Sequence, residues 1–422
     1  MAPTRATAFR SIVRVASGNF LEMYDFMVFG YYAAAIGHTF FPSGNAYVSL
    51  MLSLATFGAG FLMRPLGAVV LGAYADRHGR RAGLLLTLTL MSFGIVSIAC
   101  TPGYATLGLL APLLVLIGRL LQGFSAGMEL GGVSVYLAEI APPGRKGFYV
   151  SWQSASQQVA VMVASLVGVV LTSRLTPEDM TQWGWRVPLL LGCLIIPVLF
   201  LLRRSLTETA EFTARRHHPG ITEILSSLRA NWKIVLVGTL MVVMTTVSFY
   251  MITAYTPTFG STVLHLSSLD SLIVTLCVAA SNLFWLPVMG SFSDRVGRKP
   301  LLLACTIAML VSAYPVMAWL ATAPDFSRLL ITELWFSFLY ASYNGAMVVL
   351  LTEIMPVEVR TSGFSLAYSL ATAIFGGFTP VVSTYLIHTT HNPAIPGLCL
   401  SFAAACGLGA ALTVKNKAES ER

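Results

Sequence analysis

Apolar residues in this chain run in long blocks broken by short polar intervals, and most blocks are long enough to cross a bilayer. A crossing helix needs about 20 apolar residues, because its backbone must bond internally where there is no water. Reading the blocks against Pro, Gly and charged breakers predicts twelve helices. They cover approximately 14–36, 47–71, 82–101, 107–137, 148–172, 184–202, 233–259, 269–290, 300–321, 328–351, 361–388 and 396–414. The expected fold class is therefore an all-α membrane protein of twelve transmembrane helices. The longest polar interval, 203–232, separates six spans from six.

The two sets of six share a motif. Gly72-Ala-Tyr-Ala-Asp76-Arg77-His-Gly79-Arg80-Arg81 recurs 218 residues later as Gly290-Ser-Phe-Ser-Asp294-Arg295-Val-Gly297-Arg298-Lys299. Glu139-Ile-Ala-Pro142, followed by basic residues, matches Glu353-Ile-Met-Pro356 with Arg360, 214 residues on. Two motifs at nearly one offset imply pseudo-symmetric halves, 1–202 and 233–422, joined by a cytoplasmic linker loop over 203–232. Repeated halves around a central site are a common construction of secondary transporters.

Composition agrees. The chain is 56% hydrophobic and 10% charged, with mean hydropathy +0.75, whereas soluble domains carry about 25% charged residues. The net charge of +8 invites a nucleic-acid reading, but topology accounts for most of it. Of the 26 Lys and Arg residues, 21 fall in the tails and in alternate loops that lie on one side. The positive-inside rule puts that side, with both termini, in the cytoplasm. The apolar stretch after Arg14 carries Glu22 and Asp25, which argues against a signal peptide. The six cysteines are scattered through apolar segments and suggest neither a metal site nor a disulfide framework.

Ionisable groups inside a span are costly unless paired or wet, so each is a functional candidate. The first helix carries Glu22 and Asp25 three residues apart, with Asn19 three before. The fourth carries Arg119, Gln122 and Glu129, and the second carries Arg64. Ser154, Gln157 and Gln158 share a face of the fifth helix, where hydroxyls and amides suit an oxygen-rich anion. Tyr250, Thr253 and Pro257 follow helical spacing on the seventh, and Asn282 and Trp285 on the eighth. Glu333, Ser337, Tyr340 and Asn344 form a stripe on the tenth. Tyr250, Asn282 and Asn344 are candidate substrate contacts, with core packing the alternative. Gly123, Gly127 and Gly131 recur at i+4 and predict close helix packing. No histidine falls in mid-span, and no nucleotide-binding or catalytic motif is present, so neither a cofactor nor an enzyme activity is expected.

The doubled G-x-x-x-D-R-x-G-R-[RK] motif resembles the signature of the major facilitator superfamily. The resemblance implies a gating role for Gly72, Asp76, Arg77, Gly79 and Arg80, and for Gly290, Asp294, Arg295, Gly297 and Arg298. The aspartates suit pairing with arginine or capping a helix N-terminus. Gly18-Asn19-Phe-Leu-Glu22-Met-Tyr24-Asp25-Phe26, Arg64-Pro65-Leu-Gly67 and Gly118-Arg119-Leu-Leu-Gln122-Gly123 resemble the metabolite:proton symporter family within it. Ser151-Trp152-Gln153-Ser154-Ala-Ser156-Gln157-Gln158, Phe249-Tyr250-Met-Ile-Thr253 and Phe375-Gly-Gly-Phe-Thr379-Pro380 resemble its citrate and tricarballylate branch.

In sugar–proton members of the superfamily, an aspartate of the first helix and an arginine of the fourth form the coupling pair. Asp25 and Arg119 match those places, so protonating Asp25 would free Arg119 for a substrate carboxylate. A permanent salt bridge is the alternative, and Glu22 is the rival acid. Arg64 meets either a second substrate carboxylate or a buried acid. The expectation is proton-coupled import of a tricarboxylate, citrate or tricarballylate, by alternating access across the bacterial cytoplasmic membrane. A dicarboxylate, shikimate-like acid or betaine is the alternative substrate. The expected partners are a small carboxylate, protons and the lipid bilayer, with no nucleic acid, and the expected state is a monomer.

Overall fold

The computed structural model describes residues 20–78, 80–127, 129–204, 221–356 and 360–414. These residues are helical almost throughout, with no strand among them. In chain order the helical units are α1 (Phe20–Tyr31, resuming as Ala33–Phe40), α2 (Ala46–Leu62, resuming as Arg64–His78), α3 (Arg80–Cys100) and α4 (Leu110–Ala126, resuming as Glu129–Ile140). Next come α5 (Lys146–Arg174), α6 (Arg186–Arg204), α7 (Trp232–Val263) and α8 (Ser268–Val296). The last four are α9 (Arg298–Thr322), α10 (Phe326–Ile354), α11 (Arg360–Thr390) and α12 (Pro396–Thr413).

Among the described residues nine of these helices are long and apolar enough to cross a membrane, and ten if α6 is joined to the bent segment Pro177–Gly184 before it. The chain is a multi-pass membrane protein. Unit α1 is broken at Tyr32 and carries Glu22 and Asp25, and the apolar stretch of α4, Leu110–Ala126, is 17 residues long.

Polar caps and prolines set the ends and breaks. Asn45, Ser267 and Asp325 each accept a backbone N–H of the first turn of α2, α8 and α10, satisfying donors that a helix start otherwise leaves unpaired. Unit α2 breaks at Met63, just before Arg64-Pro65, where the proline has no N–H to continue the ladder. Unit α7 passes through two wide i→i+5 turns, Met251–Tyr255 and Phe259–Val263, on either side of Pro257. Unit α11 has one at Thr372–Gly376, ahead of Pro380. Such turns widen a helix locally and recur at functional sites.

Burial ranks the helices. The most apolar stretches of α7 and α10 are 78% and 83% buried, against 39% for α9, so α7 and α10 are central and α9 is peripheral. Large apolar side chains such as Leu194, Val311 and Phe93 remain exposed on outer helices, as a lipid-facing belt requires. The main packing between the first six and last six helices runs α5 on α8 and α10, and α2 and α4 on α11.

Several expectations are corrected. The motif beginning at Gly290 is not a loop between spans: α8 stays helical to Val296, and its Arg295 favours the last turn by lying at the negative end of the helix dipole. The 203–232 interval is not all loop, since Ile221–Ala230 forms a helix that packs on α2, α7 and α11. The i+4 glycines behave as expected. A Cβ on Gly123 would meet the Gly60 carbonyl, one on Gly127 the Arg64 carbonyl, and one on Gly131 the Ser365 hydroxyl.

Candidate functional site

Glu22 and Asp25 stand one turn apart on α1, so their carboxylates leave the helix on one face. Each meets an arginine from another helix. Arg64 Nη2, from α2, lies 2.9 Å from Glu22 Oε1, and Arg119 Nη1, from α4, lies 3.0 Å from Asp25 Oδ2. All four side chains are buried, Arg119 completely. Phe26 separates the pairs: the guanidinium of Arg119 lies 4.2 Å from its ring centre and that of Arg64 4.9 Å. Phe61 adds a second face to Arg64, and Phe29 one to Arg119. Aromatic faces attract desolvated cations, which offsets part of the cost of burying these arginines.

The Asp25–Arg119 pair is incompletely bonded. Nη1 of Arg119 donates to both Asp25 Oδ2 and Gln122 Oε1, the latter at 2.7 Å. Its Nε and Nη2 donors, and Asp25 Oδ1, have no hydrogen-bond partner among the described residues. A structural ion pair in a dry interior is stabilising only when its remaining donors and acceptors are satisfied. Here Arg119 keeps two donors in reserve, which is the capacity a ligand carboxylate needs.

A cavity of about 20 Å³, room for roughly one water, lies between the helices beside these pairs. Met23, Arg64, Gln157, Thr246, Phe249, Tyr250, Tyr340, Tyr368 and Thr372 line it. Arg64 therefore pairs with a buried acid, one of the two alternatives that the sequence leaves, and it also faces the cavity. Arg119 is not part of the lining and lies against Phe26, Phe29 and Phe57.

The other candidates divide. Gln157 and Tyr250 reach the cavity. Gln158 and Asn282 instead bond each other, Asn282 Nδ2 donating to Gln158 Oε1 at 3.2 Å, while Ser337 Oγ donates to Asn282 Oδ1 at 2.8 Å. That chain ties α5 to α8 and α10. Ser154 Oγ donates to Gln153 Oε1. Asn344 is buried on α10, and neither atom of its amide group has a partner among the described residues. Asn19 and Gly79 lie outside the described residues, as do the side chains of Asp76, Arg77, Arg80 and Glu129. Thr246, Tyr368 and Thr372 line the cavity but escape the sequence reading. A signal existed, since Thr246 is four before Tyr250 and Thr372 four after Tyr368, one helical turn each.

The second motif copy lies at the contact of α5 with α8. Gly147 and Gly290 meet so closely that a Cβ on Gly290 would sit 2.5 Å from the Gly147 carbonyl. Asp294 accepts the backbone N–H groups of Gly147 and Phe148 at 2.8 and 3.1 Å, capping α5 from another helix. Arg298 Nη2 holds the same carboxylate at 2.7 Å and lies 3.7 Å from Glu353. Gly297 joins α8 to α9 at φ +97, a conformation that favours glycine. Arg295 is exposed and Gly72 faces open space. At the other end, Tyr47 of α2 stacks on His388 of α11 with ring centres 3.8 Å apart.

The Major Facilitator Superfamily model matches residues 15–367. The citrate-proton symporter of Klebsiella pneumoniae is 60% identical over 408 residues, covering 97% of this chain and 92% of that protein. The citrate-proton symporter of Salmonella typhi is 59% identical over 409 residues, covering 97% and 94%. In three dimensions the chain is similar to a proton:xylose symporter of E. coli, at TM-score 0.77 and 19% identity over 96% of this chain and 95% of that one. That likeness shows the two-half, twelve-helix fold, and the sequence matches show the family. The chain belongs to the Major Facilitator Superfamily, and within it to the metabolite:proton symporters.

Proposed function

We propose that this chain imports citrate together with protons, by alternating access between halves 1–202 and 233–422 joined by the 203–232 linker. Support comes from the citrate-proton symporters that it matches along nearly all of its length. The observation that carries the mechanism is the pair of buried carboxylate–arginine contacts on α1, one of which borders the central cavity.

The coupling follows from charge. While Asp25 and Glu22 are ionised, each arginine has an internal counter-ion. Protonating a carboxylate removes that partner, and the freed guanidinium is then costly to leave buried unless an external anion replaces it. A substrate carboxylate is that anion, so proton and citrate bind together. Asp25 is the principal proton acceptor, with Glu22 the second candidate. Arg119 and Arg64 bind citrate carboxylates, with Gln122 positioning Arg119. Gln157 and Tyr250 orient the anion from the cavity wall, and Asn282, Gln158, Ser154 and Asn344 support it from α5, α8 and α10. Asn19, one turn before Glu22, belongs to the same face.

Room for one water does not admit citrate, since ligand pockets run to about 300–1,000 Å³. The halves must therefore part at this cavity to load. On the cytoplasmic side the cap that Asp294 places on α5 holds the gate, with Arg298 and Glu353 bracing it. Both termini lie in the cytoplasm by the distribution of basic residues, and the membrane is the bacterial inner one. One chain supplies every group, so a monomer suffices. The protein transports and catalyses no covalent step.

The test is uptake of radiolabelled citrate into proteoliposomes under an imposed inward proton gradient, with tricarballylate, dicarboxylates and betaines as competitors. Accumulation driven by the gradient and blocked by tricarboxylates is expected. Uptake blocked by betaine and untouched by tricarboxylates would overturn the substrate.

A further inference from the structure

A third carboxyl lies buried in the bundle, and the coupling scheme above does not use it. Glu333 of α10 is 3% exposed and forms no ion pair among the described residues. It stands seven residues into its helix, about 10 Å from the helix start at 1.5 Å per residue. Its Oε1 lies 3.0 Å from the Thr256 hydroxyl of α7, and its Oε2 has no partner. Thr256 is itself wholly buried and begins the Thr256–Thr258 segment between the two wide turns of α7, beside Pro257.

The charges on the helices packed around α10 stand at helix ends, apart from Arg119 in the middle of α4, which is paired with Asp25, and none of them forms an ion pair with Glu333 among the described residues. Those at helix ends are Lys146 and Arg174 on α5, Lys233 on α7, Asp270, Asp294 and Arg295 on α8, Arg298 and Lys299 on α9, and Arg360 on α11. On α10 itself, Arg328 bonds Asp325, Thr322 and the Trp319 carbonyl, and Glu353 belongs to the Arg298 cluster at the far end. Glu139 stands at the end of α4. Besides Arg119, the titratable groups towards the middle of these helices include the neutral Tyr255 and Tyr340, and Tyr255 is bonded to Thr384.

The hydrogen bonding assigns the proton. Thr256 has a single hydroxyl proton but two acceptors in reach, Glu333 Oε1 and the Met251 carbonyl at 3.2 Å. An ionised Glu333 would compete with Met251 for that proton and leave its other oxygen bare in an apolar site, which is costly. A neutral Glu333 resolves the conflict: its O–H donates to the Thr256 oxygen, and Thr256 donates to Met251. We propose that Glu333 is a second proton-carrying carboxyl of the transport cycle, neutral while the α7–α10 contact is closed and free to ionise when α7 moves at its Pro257 break. This rests on the reading of the chain as proton-coupled. No bond other than O–H forms or breaks, and the proton passes to water on the side that opens.

The experiment is the proton-to-citrate ratio, measured by reversal potential in proteoliposomes of wild type and Glu333→Gln. Glutamine matches the neutral acid in shape. The ratio is expected to fall by one proton per citrate, while citrate counterflow, which moves no net proton, persists without its alkaline fall-off. An unchanged ratio overturns the assignment. Should Glu333→Gln not fold, Thr256→Val decides: removing the acceptor should move the pH midpoint of counterflow downwards, and an unmoved midpoint overturns the assignment. A wild type that carries citrate without protons would sink the functional reading along with this one. A coupled wild type with an unaltered variant sinks Glu333 alone.

Discussion

Asp294, near the end of α8, accepts the backbone N–H of Gly147 at 2.8 Å, so a carboxylate from the second half of the chain caps the first turn of a helix from the first half. The negative group meets the positive end of the α5 dipole and two donors that the helix itself leaves unpaired. Because the bond joins the halves, it exists only while these ends of α5 and α8 are together. It is a contact between the halves built from backbone, which explains why an acid stands at this place and glycine at the point of closest approach.

Asp294→Asn keeps the shape and removes the charge. A capping and dipole interaction of this kind contributes about 1–2 kcal/mol, roughly ten-fold in the closed-to-open ratio. The expected result is faster alkylation of a cysteine placed on the cytoplasmic side of the cavity, with the protein still folded. An unaltered alkylation rate would place the gate elsewhere.

Gly147→Val tests the contact by bulk. Its Cβ would fall on the Gly290 carbonyl, so α5 and α8 cannot close to their present distance. Overpacking of this kind costs about 1–3 kcal/mol. Net citrate uptake should fall at least several-fold while membrane insertion is retained, and normal uptake would show that this approach is dispensable.

Arg64 borders the cavity and Arg119 does not, so the two should differ in what they do to affinity. Arg64→Gln removes a charged donor to substrate and leaves Glu22 without its cation. Hydrogen bonds to charged groups contribute about 1.5–3 kcal/mol, a loss of roughly 10- to 100-fold in citrate affinity. Titration calorimetry on purified protein checks this, and an unchanged Kd would remove Arg64 from the binding site.

Glu22→Gln should act in the opposite sense. Neutralising Glu22 frees Arg64 at every pH, so citrate should bind more tightly at alkaline pH than it does to wild type, and the pH dependence of binding should flatten. An affinity that still falls with pH as in wild type would leave Asp25 as the sole coupling acid.

Most of the site was legible because ionisable residues in apolar runs announce themselves. Glu22, Asp25, Arg64 and Arg119 stand out for that reason, and the Asp25–Arg119 pairing follows the resemblance. Which arginine faces the cavity was not legible, since that depends on where Phe26 falls between two helices far apart in the chain. The link between Gln158 and Asn282, 124 residues apart, is likewise a product of packing. The helix Ile221–Ala230 lies in a polar interval, although Ile221, Leu225 and Leu228 recur at helical spacing within it. The repeated motif was legible in the sequence, but the capping of α5 by Asp294 needed the fold.

The central claim is that the α1 carboxylates are counter-ions exchanged for substrate, and Asp25→Asn tests it most directly. The account predicts that proteoliposomes carrying this variant exchange citrate but no longer accumulate it under an imposed proton gradient. Gradient-driven accumulation equal to that of the wild type would contradict it.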